Sequence, residues 1–283
     1  MHAYLIMAHN NFSILEKLIR MLDDVRNDIY IHIDQKAHYT QHEELKKLCK
    51  HAGIWFVDSL DVQWGAYSQV ECELRLLKKA LHKKYDYIHL LSGCCMPIQT
   101  QEAIHAFFER EAGKEFIYFE NAAPTEKVLE RVRYYHFFPG RRNLFNRAMT
   151  KFETVLQRSI GVDRIDCKRI QKGANWFSIT GTFAEFLVSK ESEIRKQFRH
   201  TISGDEFFVQ TVLINSPFRD NLYCNRFDDS NEQNMRYIDW KRGNPYTFTE
   251  SDFDEIMQSG CLFVRKLTEE NKLPDMIYEK VVH

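Results

Sequence analysis

The chain has 283 residues, with 39 Lys and Arg against 40 Asp and Glu and a net charge of −1, so it carries no overall field able to hold a polyanion. Nucleic acid is thereby set aside as its main partner, and a local basic site for one small anion stays open. With 44% hydrophobic and 28% charged residues the composition is that of a folded globular protein, not of a disordered tail or a coiled coil.

In chain order, residues 3–8 read as a buried strand, and 12–22 follow with apolar positions at Ile14, Leu15, Leu18, Ile19 and Leu22, which is helical spacing. A second strand at 29–34 ends on Asp34; a helix at 41–50, a strand at 54–57, a helix at 67–81 and a strand at 85–91 come next. This βαβα alternation predicts an α/β fold with a mainly parallel central sheet and helices on both faces, and in such sheets ligands lie beyond the carboxyl ends of the strands. His9, Asp34 and Ser92 fall at those ends. Further on, 116–120 and 175–180 are strand-like, 131–158 is an irregular basic stretch, 204–214 is a helix and 236–240 a short strand. A last helix spans 249–259 with Thr249 as its N-cap, Met96-Pro97 reads as a simple turn, and 261–266 closes the ordered part. No linker, repeat or low-complexity tract interrupts the chain, so a single domain is expected over 1–283.

The first residues show no basic signal region, no stretch approaches eighteen apolar residues, and the seven cysteines are odd in number without C-x-x-C spacing. These features favour a reducing cytosol. Neither the glycine-rich dinucleotide fingerprint nor a P-loop is present, because the turn after the first strand is His9-Asn10-Asn11. Cys94 and Cys95 lack a His cluster, and His38 with His42 lacks a third ligand, so no metal site is expected. Ser203-Gly204-Asp205-Glu206 fits a capping box, in which a Ser and a Glu three residues later satisfy backbone donors at a helix start. The same Glu206, facing free amides at a helix N-terminus, is a ready acceptor for a proton from a substrate hydroxyl. Arg265-Lys266 is either a solvated pair or a cationic site for a diphosphate, and adjacent strand positions converge only where the strand has ended. Trp64, Trp176 and Trp240 are core residues or, beside polar neighbours such as Asp239, stacking faces for sugars.

Taken in order, 3–9, 31–34, Trp64-Gly65, 90–93 with Pro97-Ile98, 173–177, 205–213, 238–240 and 262–266 resemble the core-2/I-branching β-1,6-N-acetylglucosaminyltransferase family (glycosyltransferase family 14), which includes the peptide O-xylosyltransferases, in a bacterial-type member. The resemblance covers most of the chain. It implies a GT-A-like, Rossmann-type domain whose first part, 1–115, binds the nucleotide-sugar and whose remainder, 116–283, binds acceptor and carries the base. It also implies an inverting transferase that uses a UDP-sugar as co-substrate and no divalent metal or other cofactor. By position, Glu206 matches the catalytic base, and Arg265 and Lys266 the diphosphate site. His9, Asp34, Trp64 and Ser92 match the nucleotide and donor site, and Trp176, Asp239, Trp240, Glu120 and Arg131 the sugar and acceptor region.

One physical point agrees with metal independence. A metal-dependent GT-A site needs paired acids just after a buried strand, and the strand at 85–91 runs instead into Ser92-Gly93-Cys94-Cys95. Asp252-Phe253-Asp254 has the letters of such a motif but lies in an expected helix, where i, i+2 positions do not share a face. The donor is expected to carry N-acetylglucosamine or xylose. The acceptor is expected to be a glycan or lipid-linked oligosaccharide of surface-polysaccharide synthesis, met in the cytoplasm with at most peripheral membrane contact, and the basic 131–147 reads as a solvated face or as a contact for an anionic acceptor or a membrane surface. The competing readings are a nucleotidyltransferase that makes a sugar nucleotide and a non-catalytic sugar-binding module.

Overall fold

The computed structural model describes residues 1–137, 144–165 and 169–282, with the side chains of 145–147 left out, so Arg141, Arg142 and the side chain of Arg147 lie outside the described residues. Nine strands are described: β1 His2–Ala8, β2 Asn27–Ile33, β3 Gly53–Phe56, β4 Tyr87–Ser92, β5 Met96–Pro97, β6 Phe116–Ile117, β7 Phe177–Thr180, β8 Arg236–Ile238 and β9 Phe263–Arg265. Six form a central sheet in the order β3-β2-β1-β4-β7-β6, and three form a small sheet in the order β5-β9-β8. The pairs β1–β2, β1–β4 and β2–β3 are parallel, and β7 is antiparallel to both β4 and β6. The fold is therefore α/β with a mainly parallel sheet, and 1–115 and 116–283 share that sheet through the β4–β7 pairing.

The period of two in each strand divides the core. Tyr4, Ile6 and Ala8 of β1 pack with Leu15, Leu18 and Ile19 of helix Phe12–Met21 and with Ile104 and Phe108 of helix Gln101–Arg110. Ala3 and Leu5 pack on the other side with Val70, Leu74 and Leu77 of helix Ser68–Ala80 and with Phe183 and Leu187 of helix Gly181–Ser189. Burial on both faces explains why β1, β2 and β4 read as continuous apolar runs. Because β1 sends its following connections to neighbours on opposite sides, its carboxyl end is a topological switch point, where His9 and Ser92 sit.

Five expectations are corrected. The helix at 204–214 is a 3-10 turn, Gly204–Glu206, followed by an α-helix that begins only at Phe208 and ends at Ile214. Ser203 is left-handed at φ 51° and its side chain makes no capping bond, and its backbone N–H, which the Glu206 carboxylate would accept in a capping box, is given instead to Gly65 O at 2.8 Å. Met96-Pro97 is not a simple turn but a strand paired to β9. The ordered chain does not close at 266: helix Leu273–Val282 follows, and its Leu273 and Ile277, one helical turn apart, pack with Ile14, Met96 and Val264 in a third core. At 249–259 the expected Thr249 cap is present as a reciprocal box with Asp252, but the turn Glu250–Asp252 is 3-10 and the α-helix is only Phe253–Met257.

Candidate active site

The carboxyl ends of the parallel strands open into a cavity of about 1200 Å³. Beyond β2 the chain turns at Asp34, whose carboxylate is buried, accepts from Lys36 N at 2.8 Å and lies 3.3 Å from Lys36 Nζ. Lys36 Nζ also meets Asp61 at 2.6 Å, which ties the ends of β2 and of the β3 loop together. At the end of β4, Ser92 Oγ bonds Arg265, the last residue of β9, and the Arg265 guanidinium lies 4.4 Å over the ring of Trp176. Arg265 Nε is buried without a partner, so this cation still has a donor to give. His9, Asp34, Ser92, Trp176 and Arg265 all line the cavity. Burial, then the charge of Arg265, lowers the His9 pKa, which keeps that imidazole neutral beside the cation.

Glu206 reaches the same cavity from its 3-10 turn. Its Oε2 is 3.0 Å from Arg131 Nη2 and 3.6 Å from Lys172 Nζ. Arg131 is itself held by Ile202 O at 3.0 Å and lies 4.9 Å over the Phe207 ring, while Lys172 is also paired with Glu120. The carboxylate is thus oriented by two cations from distant parts of the chain, not by the capping box that local spacing suggested. Beside it, Asp205 is buried: Oδ2 accepts from Gln69 Nε2 at 2.9 Å and Oδ1 has no partner. Burial first, and the Glu206 charge second, push its pKa up to about 7. Glu73 lies fully buried close enough to feel Asp205; burial and that second acid raise it well above the usual carboxylate range.

Trp64 and Trp240 complete the wall with ring surface in reach of solvent, 53% and 38% exposed, whereas Trp176 is buried beneath Arg265. Two expected residues do not line the cavity. Asp239 builds the turn that carries Trp240, accepting from Lys241 N at 2.7 Å and Arg242 N at 2.9 Å and pairing with the Arg242 side chain. Lys266 lies just past the end of β9 and does not line the cavity, although its charge reaches His9. Asp252 of the Asp-Phe-Asp sequence is buried against Thr249 N at 2.8 Å and Arg242 at 2.6 Å, so it is a structural cap. Among the described residues no group of three or more His, Cys, Asp and Glu is gathered to hold a metal ion.

This arrangement can be compared with known proteins. The pattern of the Core-2/I-Branching enzyme family matches residues 2–259. The chain belongs to that family. It is similar to xylosyltransferase 2 of Rattus norvegicus, 24% identical over 287 residues that cover 93% of this chain and 31% of the relative. It is also similar to xylosyltransferase 1 of Rattus norvegicus, at 23% identity over 93% of this chain and 33% of the relative. The chain thus spans about a third of the length of these relatives. Among solved structures, mouse xyloside xylosyltransferase 1 in its apo form aligns over 93% of this chain and 97% of that one, with a TM-score of 0.39 and 10% identity.

Within this branching-family fold, Lys172, Asp205, Gln69, Lys36 and Asp61 line the cavity although sequence reasoning did not single them out. Asp205 was visible as the neighbour of Glu206. Lys172 was signalled only by its place two residues before the Ala174-Asn175-Trp176 segment, and nothing local ties it to a carboxylate 34 residues on.

Proposed function

We propose that this chain is an inverting, metal-independent glycosyltransferase that moves N-acetylglucosamine or xylose from a UDP-sugar to a hydroxyl of a glycan acceptor. The observation that carries this reading is the presence in one cavity of an oriented carboxylate, Glu206, and a cation with an unspent donor, Arg265. Glu206 accepts the proton of the acceptor hydroxyl as that oxygen attacks the anomeric carbon and the bond to the diphosphate breaks. Negative charge gathers on the departing diphosphate, where Arg265 and the Ser92 hydroxyl supply donors in place of a metal. Trp64 and Trp240 offer ring faces to the sugars, and Arg131, Lys172 and Glu120 hold the base and meet acceptor hydroxyls. Surface-polysaccharide synthesis on the cytoplasmic side, with a lipid-linked acceptor, is the setting that suits these parts.

The test is a panel of UDP-sugars assayed for hydrolysis and transfer, with Glu206→Gln alongside. The variant should keep UDP binding by calorimetry and lose about 10²–10⁴-fold in transfer rate. Transfer at the parent rate would leave Glu206 without a catalytic role, and activity lost to EDTA and restored by Mn²⁺ would overturn metal independence. The anomeric-proton coupling of the product reads inversion directly. Pyrophosphate release from UTP and a sugar 1-phosphate would instead support a nucleotidyltransferase.

A further inference from the structure

Helix Leu144–Ser159 is inside out. Leu144, Phe152, Val155, Leu156 and, just past its end, Ile160 recur at spacings of 8, 3, 1 and 4, which keeps them on one broad helical face, and they are between 49% and 82% exposed. The side turned to the protein is polar. Gln157 exchanges two hydrogen bonds with the backbone of Tyr135, at 2.7 and 2.8 Å, and Arg158 pairs with Glu130 of helix Glu126–Arg133. An amphipathic helix on a globular surface buries its apolar stripe, so this one is held by the wrong side for a core element. Next to it, Tyr135 and Phe137 are exposed with parallel rings 6.1 Å apart.

The charge of this region is as unusual as its polarity. Residues 131–159 contain seven Lys or Arg against one acid, Glu153, in a chain whose net charge is −1, and three of these bases, Arg131, Arg133 and Arg158, pair with acids outside that span. Of the seven, Lys151 is exposed on the helix and Arg158 keeps 59% of its side chain exposed. An exposed apolar stripe about 24 Å long, edged by bases and flanked by aromatic rings, has the make-up of an interfacial helix. A second copy of the chain would set this excess of bases against an equal excess, whereas a layer of phosphate headgroups would neutralise it.

We propose that helix Leu144–Ser159 with Tyr135 and Phe137 is a membrane-docking surface that lays its apolar stripe into the interface of a bilayer containing anionic lipids. Helix Glu126–Arg133, to which it is tied through Glu130, carries Arg131 into the cavity, so docking brings the cavity mouth to the lipid surface. That the cavity there meets a lipid-linked acceptor rests on the transferase reading; the docking itself does not.

The experiment is co-sedimentation of the whole chain with phosphatidylcholine vesicles, with and without phosphatidylglycerol, together with UDP calorimetry in the absence of lipid. The chain should bind the anionic vesicles at least 10-fold more tightly than the neutral ones. The variant Phe152→Glu/Val155→Glu/Leu156→Glu, altered only at exposed positions, should lose at least 10-fold in vesicle binding while its UDP affinity and circular dichroism match the parent. No binding of the parent to anionic vesicles, or undiminished binding of the folded triple variant, overturns the proposal. So does a parent that ignores vesicles but self-associates in a way the variant abolishes. Failure to bind UDP would count against the transferase reading alone.

Discussion

Asp205 sits in an environment at odds with its chemistry. Its ordinary pKa is near 3.8, and burial together with the neighbouring Glu206 charge raises it to about 7. In the pH range between those values the folded protein keeps a proton that the unfolded chain has released, so stability falls as pH rises from about 4 to about 7 and is level above that. Asp205→Asn keeps the acceptor for Gln69 and removes the titration. Urea denaturation should show the variant matching the parent near pH 4 and exceeding it at pH 8 by about 2–4 kcal/mol. A difference that does not change between these pH values would mean that Asp205 ionises freely in the fold. Glu206 was legible in the sequence as a candidate base, and Asp205 only as its neighbour. Their division of labour was not, because it depends on which of two adjacent acids faces Arg131 and which faces Gln69.

Among the elements, the small sheet decides where Arg265 stands. β9 pairs with β8, and β8 begins with Arg236, a fully buried arginine. Its guanidinium donates to Asn234 O at 2.6 Å, Ser178 Oγ at 3.1 Å, Leu90 O at 3.4 Å and Phe177 O, and so stitches the small sheet to β4 and β7 of the large one. Burial pulls its pKa down to about 9, which shows what holding a cation there costs. Arg236→Met leaves these acceptors unpaired, and chemical denaturation should register a loss of about 3 kcal/mol, with UDP affinity falling as β9 loses its support. A stable variant with parental UDP affinity would show that the strands hold their own register. In the sequence Arg236 does no more than open the short strand at 236–240; only the packing of one sheet against another buries it. The Ser203–Glu206 box failed for a similar reason: local spacing satisfied the rule, but the Ser203 amide was taken by Gly65 and the Glu206 carboxylate by Arg131 and Lys172.

At the scale of the whole molecule, stability should be unevenly spread. β1, β2 and β4 are buried on both faces and hydrogen-bonded to neighbours along their length, whereas helix Leu144–Ser159 contributes its apolar face to no core. Amide exchange is therefore expected slowest in the three strands and fastest in that helix, and anionic vesicles should slow the helix alone. Exchange in the helix as slow as in β1 would mean that its apolar face is already covered in solution. No helix among the described residues is long and apolar enough to cross a membrane. The sequence by itself determined the α/β alternation, the parallel sheet and the strand ends that carry His9, Asp34 and Ser92, because period and burial are written in neighbouring residues. It also marked Glu206, Arg265 and the three tryptophans through the order of their motifs. Only the tertiary structure decided that Lys172 and Arg131 grip Glu206, that Asp239 and Lys266 stand outside the cavity, and that an apolar stripe faces outward. Each of these depends on which distant segment arrives at a side chain, and spacing along the chain carries no information about that.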